Sequence, residues 1–397
     1  AMRWSAVLLA LAALAAVSSA RASDTVKEAE YRCNLTRPPF QEAVAAAAPV
    51  KARVLITGAA GFIGSHVARF AAETLKMEVV AVDDLSGGFR DNVPASATFV
   101  KGDLTDPAFV EELFKQHGPF RFVYHLAAYA AEGLSHFIRR YNYRTNLEAS
   151  VSLVNQAVLG GTECFVFTSS IAVYGAGKTP MLETHFPTPE DPYGISKVAV
   201  EDDLKAAKHM FDMDFVIFRP HNVYGPAQNI YDKFRNVVGI FMHNVLAGQP
   251  LTLFGDGSQT RAFSYIDDVA PALAFAPLVP EARNQIFNAG ADTPHTVLEV
   301  AHEVSKAMGV KPNLKYLDER KEVKHAFSDH SKMRCIFNPP PETPLDIGIQ
   351  KTAEWVQDKG KNMEPTGYDT IEVDKNMPPF WHEWLTNRGK HTKKSEL

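Results

Sequence analysis

The chain has 397 residues, a formal net charge of −5, and 46% apolar against 22% charged residues. That is enough chain to bury a large α/β core with a smaller domain beside it, without covalent staples. No long basic run is present, which argues against a nucleic-acid partner. The three cysteines, Cys33, Cys164 and Cys335, are too widely separated for a zinc pattern, so no metal is expected.

Arg3 precedes an apolar run from Ala6 to Val17, and Ser18, Ser19 and Ala20 follow it. This reads as a signal peptide over residues 1–22. The run is shorter than the roughly 20 apolar residues a membrane helix needs, so no stable membrane span is expected. The chain ends Lys394-Ser395-Glu396-Leu397, similar to a retrieval signal of the endoplasmic reticulum. Together the two ends predict the lumen of the endoplasmic reticulum. Asn34-Leu35-Thr36 is a glycosylation sequon. An oxidising lumen permits Cys33 to pair with Cys335, while Cys164 lies in an apolar strand and reads as a buried thiol.

Residues 23–49 show no strand pattern and read as an arm or linker. Arg53 to Thr57 is a β-branched run that ends at a glycine, and Phe62 to Met77 follows with helical periodicity. Strands are expected at Glu78 to Val82, Thr98 to Lys101, Phe120 to His125, Cys164 to Thr168 and Asp214 to Phe218. Helices are expected from about Tyr141 to Leu159 and from Pro192 to His209. Strands alternating with helices predict a doubly wound parallel sheet of the Rossmann type. Beyond Arg219, short strands (Leu251 to Phe254, Asn313 to Leu317) flank helices near Val237 to Ala247 and Val297 to Met308. The expected domains are 50–225 with returns near 262–290 for the sheet domain, and 226–261 with 291–362 for a smaller substrate lobe. A tail over 363–397 carries Phe380, Trp381 and Trp384 and is expected to pack on the lobe.

Thr57-Gly58-Ala59-Ala60-Gly61-Phe62-Ile63-Gly64 joins the first strand to the first helix. Glycines there let the backbone approach a pyrophosphate, and the helix start directs free N–H groups at it. Asp83 ends the next strand about 20 residues on, where a carboxylate accepts both ribose hydroxyls and repels a 2′-phosphate. With Asp84 beside it, NAD is favoured over NADP; Arg90 is the opposing feature. Asp103 ends the third strand and is placed for adenine, or alternatively caps the helix after Pro107.

Ser169-Ser170 follows a buried strand, and Tyr193 and Lys197 lie four residues apart on the next helix, hence on one face. Tyrosine is a poor base at its usual pKa of about 10. A neighbouring ammonium favours the phenolate, and a serine hydroxyl steadies the same substrate oxygen. Ser170, Tyr193 and Lys197 are therefore the candidate catalytic set.

With these motifs in place the chain resembles the extended short-chain dehydrogenase/reductase family, in its sugar-nucleotide epimerase branch typified by UDP-glucose 4-epimerase. The resemblance runs from about Val54 to Trp355. It includes His125-Leu126-Ala127-Ala128, Arg219-Pro220-His221-Asn222-Val223-Tyr224-Gly225-Pro226 and Arg261-Ala262-Phe263-Ser264-Tyr265-Ile266-Asp267-Asp268-Val269. It implies an NAD site of Gly58, Gly61, Phe62, Ile63, Gly64, Asp83, Asp103, Leu104, Leu126, Ala127, Ala128, Asn146, Tyr193 and Lys197. It selects Ser170 over Ser169, and gives the sugar nucleotide to Ser170, Asn222, Arg261 and Arg320. It also implies a homodimer built on the helices near 141–159 and 192–209, whose Val151, Leu153, Val154, Val198, Val200 and Leu204 exceed one stripe.

Family dehydratases and decarboxylases carry carboxylates just after the serine, whereas this chain has Ile171 and Ala172. That favours epimerisation of a UDP-hexose at C4. The lysine found after the His-x-Ala strand in many galactose epimerases is absent, and Glu132, Ser135 and His136 occupy its neighbourhood. A sugar-nucleotide reductase releasing its cofactor each cycle, and a non-catalytic nucleotide-sugar-binding protein, are the competing readings.

Overall fold

The computed structural model describes residues 33–232, 234, 236–318, 325–360, 370–378 and 381. The expected signal peptide, the Lys394–Leu397 terminus, Arg320, Phe380 and Trp384 lie outside these residues. Asn34 is exposed. Cys335 is disulfide-bonded, and Cys164 is a free, buried thiol. No helix among the described residues is long and apolar enough to cross a membrane.

Seven strands make one sheet: β1 (Arg53–Thr57), β2 (Glu78–Asp83), β3 (Thr98–Lys101), β4 (Phe122–His125), β5 (Cys164–Thr168), β6 (Asp214–Pro220) and β7 (Gln285–Ala289). Their order is β7-β6-β5-β4-β1-β2-β3, and every neighbouring pair is parallel. The chain runs outward from β1 through β2 to β3, then returns to the other side of β1 for β4. This reversal opens a crevice at the C-terminal ends of β1 and β4, where doubly wound sheets bind ligands.

The sheet is buried on both faces, and the two-residue period of a strand decides which residue faces which layer. Val54, Ile56, Phe122, Tyr124 and Val166 pack on one side with Val67, Ala68 and Val269. Leu55, Val123, Phe165 and Phe167 pack on the other with Leu153, Val154, Val200 and Leu204. Four of the six residues taken as evidence for a dimer are thus spent on the sheet. The exposed apolar residues of those two helices are instead Leu159, Ile195, Met210 and Phe211.

Local chemistry sets the helix starts. Asp106 and Asp191 each cap a helix whose first residue is proline, accepting from Ala108 N and Gly194 N. Thr296 and Glu299 form a reciprocal capping box. The arm contains an unexpected helix, Phe40–Ala47, with Phe40 and Val44 buried. Pro39 starts it and alanines propagate it. Its buried apolar face is only two residues, Phe40 and Val44, too short for a readable period.

The helix expected from Tyr141 begins earlier, as one run over 139–159, and widens to a π-helix at Arg144–Glu148. In the smaller lobe Thr260–Ala262 pairs with Pro294–Thr296 and His325–Ala326, and Leu251–Phe254 with Leu314–Leu317. Among the described residues of the tail, Trp381 has two sets of neighbours. Trp381 meets Phe234 of the lobe and also Phe137 of the sheet domain.

A buried ion pair lies beneath the sheet's C-terminal edge. Arg219 Nε and Nη2 donate to Glu201 Oε1 and Oε2 at 2.9 and 2.6 Å, and both side chains are almost wholly buried. Ser169 Oγ donates to the same carboxylate, and Arg219 Nη1 donates to the Tyr174 hydroxyl. That hydroxyl in turn donates to Asn288 Oδ1. Removing one partner strands the other charge. Glu201→Ala is expected to cost about 3–5 kcal/mol of stability, and the double variant Glu201→Met/Arg219→Met less than that. Urea unfolding of both variants checks this.

Candidate active site

The glycine loop is shaped by close backbone approach. Gly58 has φ +67°, and a Cβ there would stand 2.7 Å from Ala127 N; a Cβ on Gly64 would stand 2.0 Å from Gly58 O. The helix Phe62–Arg69 starts at Gly61 with no side-chain cap, so its first-turn amides, at Phe62 and Ile63, are left for an anion. Asp83 holds the loop by accepting from Ala60 N at 3.0 Å and Leu85 N at 2.8 Å. Burial pushes its carboxyl above the usual range, against those two hydrogen bonds. This narrow cradle, an uncapped helix start and a carboxylate at the β2 edge fit a dinucleotide's pyrophosphate and ribose. Asp103 is exposed and accepts from Thr105 N; the helix cap suggested as its alternative role belongs to Asp106. Leu104 is buried beside it.

Ser170 and Ser169, adjacent in sequence, are separated by their partners. Ser169 is committed to Glu201 at 2.6 Å. Ser170 Oγ accepts from Ala172 N at 3.1 Å and caps the turn Ile171–Tyr174, which keeps its own proton for another acceptor. That turn touches the helix Pro192–Phe211 at Gly194, where a Cβ would lie 2.7 Å from Ala172 O. One residue earlier stands Tyr193, and Lys197 Nζ lies 5.6 Å from its ring centroid. The same ammonium donates to Thr168 O at 2.9 Å and sits 4.8 Å over the Phe167 ring. Burial pulls Lys197 down to about 7, partly offset by Glu201.

A chain of buried hydrogen bonds joins the cofactor loop to the start of that helix. Thr57 Oγ1 and Ser150 Oγ flank the His125 ring at 2.8 Å each, at Nδ1 and Nε2. Ser150 donates its proton to Asn146 O, so it accepts from His125 Nε2, and Nδ1 accepts from Thr57. Burial keeps the ring neutral, with its pKa pulled to about 3. Asn146, in the π-helical turn, accepts from Tyr129 N and donates to Tyr129 O and to Asn142 Oδ1. Asn142 Nδ2 then donates to Pro192 O at 2.9 Å. Leu126 and Ala127 are fixed by Thr57, through its carbonyl and hydroxyl, and Ala128 continues the same strand end. Thr57, Asn142 and Ser150 were not singled out in the sequence. The four-residue spacing of Asn142, Asn146 and Ser150 is a legible signal for a polar face.

On the substrate side, Asn222 has φ +36° and its Nδ2 lies 3.4 Å from Ala262 O, next to Arg261. Asn222 thus lies against the backbone of the strand that carries Arg261, whose Nη1 donates to Thr260 O. Asn92 was not anticipated: its amide donates to Ala60 O and Ala227 O, stitching the glycine loop to the lobe. His221 is wholly buried with neither ring nitrogen hydrogen-bonded.

A switch-point glycine loop with a Ser/Tyr/Lys set at the neighbouring strand ends defines an extended short-chain dehydrogenase/reductase. The chain belongs to the NAD dependent epimerase/dehydratase family, whose profile matches residues 54–290. It is 33% identical over 318 residues to UDP-glucose 4-epimerase of Mycolicibacterium smegmatis, covering 78% of this chain and 100% of that one. It is also similar to the solved UDP-glucose 4-epimerase of Thermus thermophilus in complex with NAD (TM-score 0.72, 32% identity, 77% and 99% coverage). The Thermotoga maritima UDP-glucose 4-epimerase with UDP-glucose gives TM-score 0.71 and 31% identity at the same coverage. The chain is an NAD-dependent epimerase of sugar nucleotides.

Burial depresses three histidines: His125 and His221 to about 3, His330 to about 4. Their folded pKa values lie below the unfolded value near 6.5, so the stability they contribute is present above that pH and is lost as pH falls towards 4. Thermal and urea unfolding between pH 7.5 and 4.5 is expected to show this loss. His221→Leu is expected to flatten the dependence by about 1.4 kcal/mol per pH unit, one proton fewer taken up on unfolding.

Proposed function

We propose that this chain interconverts UDP-hexoses epimeric at C4 through a transient 4-keto sugar. The observation that carries the reading is the turn after Ser170. It presents Ile171 and Ala172, which cannot titrate, next to a complete Ser170/Tyr193/Lys197 arrangement. Glu183, in the same intervening segment, lies beside β7, accepting from Asn288 N. Dehydration or decarboxylation needs additional acid–base groups here; epimerisation needs one proton to leave an oxygen and come back.

In this reading Tyr193 takes the proton from the C4 hydroxyl and later returns it to the same oxygen. Ser170 donates a hydrogen bond to that oxygen throughout, steadying the charge that builds there. Lys197, close to the Tyr193 ring, biases the phenol toward its ionised form through its positive charge, which Glu201 helps to retain against burial. Bound NAD supplies the hydride acceptor and donor. Asn222 and Arg261 hold the diphosphate, Arg261 through the planar fork that suits phosphate oxygens, and the hexose turns between the two half-reactions. The 4-epimerase relatives support the position of reaction.

The test is NMR of UDP-glucose, UDP-galactose and their N-acetyl and uronate counterparts after incubation with purified protein and no added cofactor. One 4-epimer pair is expected to equilibrate, and Tyr193→Phe to slow it about 10²–10⁴-fold. Conversion only with stoichiometric consumption of added NADH would replace the epimerase with a reductase. Wild-type rates in Tyr193→Phe would contradict the proton route.

A further inference from the structure

The helical run over 139–159 carries Asn142, Asn146 and Ser150, yet its start lacks a local cap. Ile138 precedes it and no neighbouring side chain bonds its first amides. A carboxylate from far along the chain does so instead. Glu372 Oε2 accepts from Arg140 N at 2.7 Å and Oε1 from Tyr141 N at 2.9 Å, across 232 and 231 residues. A negative charge at this end of a helix is stabilised by the exposed N–H groups and the aligned peptide dipoles. The backbone is pinned as well, since Glu372 N and Val373 N both donate to Phe137 O at 2.8 and 3.2 Å.

Nearby, Trp381 closes an apolar cluster with Phe137, Leu134, Ile138 and Phe234. Its ring is edge-on to Phe234 at 5.0 Å and to Phe137 at 5.8 Å. It stands over Gly133, where a Cβ would come within 3.2 Å of the indole. The turn beneath it, Glu132–Ser135, leads to the catalytic helix. Ser135 Oγ accepts from Tyr193 N at 3.3 Å and lies 3.3 Å from the Asp191 carboxylate that caps that helix. The run capped by Glu372 reaches the same place through Asn142 Nδ2 and Pro192 O. Two separate paths thus lead from Glu372 and Trp381 to the first turn of the helix bearing Tyr193.

We propose that Glu372 and Trp381 are positioning residues for Tyr193, and that these two residues together act as a strap that holds the tyrosine in register with Ser170. The inference rests on the reading of Tyr193 as the proton-transfer group. The strap lies beyond residue 290, where the family profile ends, so its contribution is additional to the matched region. Ser135, in the neighbourhood where the lysine of many galactose epimerases is absent, holds the helix start through Tyr193 N and Asp191.

The test compares full-length wild type with Glu372→Ala, Trp381→Ala and Glu372→Gln. Amide hydrogen exchange is followed by mass spectrometry over 132–143 and 190–197, alongside kcat, KM and the pH profile of kcat. The alanine variants are expected to speed exchange in both segments. They are expected to lower kcat about tenfold to a hundredfold at unchanged KM, and to move the acid limb of the profile. Glu372→Gln keeps one acceptor and is expected to recover part of both effects. Faster exchange over 132–143 alone, with wild-type exchange over 190–197, would overturn the proposal, as would unchanged kcat with a lowered melting temperature. If wild type turns over no UDP-hexose, the functional reading fails by itself, and exchange over 190–197 still decides whether the strap reaches the helix.

Discussion

The site depends on a neutral histidine held between two hydroxyls. The cofactor loop leaves β1, the candidate tyrosine begins a helix some 130 residues later in the chain, and no backbone ladder connects the two. His125 spans the gap: Thr57 at the end of β1 on one side, Ser150 on the other, then Asn146, Asn142 and the carbonyl of Pro192. Each member is buried, so each unmet donor or acceptor costs its full desolvation penalty. The direction of every bond follows from Ser150 giving its one proton to Asn146 O. A charged imidazole would have to donate at both nitrogens and would reverse the Thr57 bond, leaving that hydroxyl's proton to find another acceptor, and burial prevents that charge from forming.

Around this chain the protein adds two braces. Below, the Glu201–Arg219 pair ties the catalytic helix to β6, and Tyr174 and Asn288 extend the tie to β7. Glu201 is one helical turn from Lys197, so the same carboxylate that neutralises Arg219 moderates the depression of the lysine's pKa. Above, Ser135 and Asn142 hold the helix start. The proposed chemistry asks for this rigidity: a tyrosine that removes and returns one proton must keep its distance to Ser170 while the sugar turns.

The sheet domain was legible because its signals are local. Strand runs end at Gly58, Asp83 and Thr168, and the caps Asp106 and Asp191 precede prolines. The glycine loop and the Tyr193/Lys197 spacing could be placed from neighbours alone. What was missed is non-local. Asp103 was read as ending at adenine or capping a helix, but the cap fell three residues later, a choice set by backbone geometry. The arm helix at Phe40–Ala47 becomes a helix by packing Phe40 on Phe275 across the fold. Four of the six residues read as support for a dimer, Leu153 and Val200 among them, cover the sheet, because a helix between sheet and solvent shows the same apolar count either way. Nothing in the sequence links Glu372 with Arg140; only the folded chain makes a cap of it.

The central claim is that C4 of the substrate is oxidised and reduced again in place, with its hydride lost neither to solvent nor to free cofactor. It is tested most directly by a UDP-hexose labelled with deuterium at C4, followed to equilibrium by NMR and mass spectrometry with excess unlabelled NAD in solution. The account predicts that both epimers keep the deuterium at C4 and that the free nicotinamide pool stays unlabelled. Deuterium washed into water, or recovered in free reduced cofactor, would contradict it.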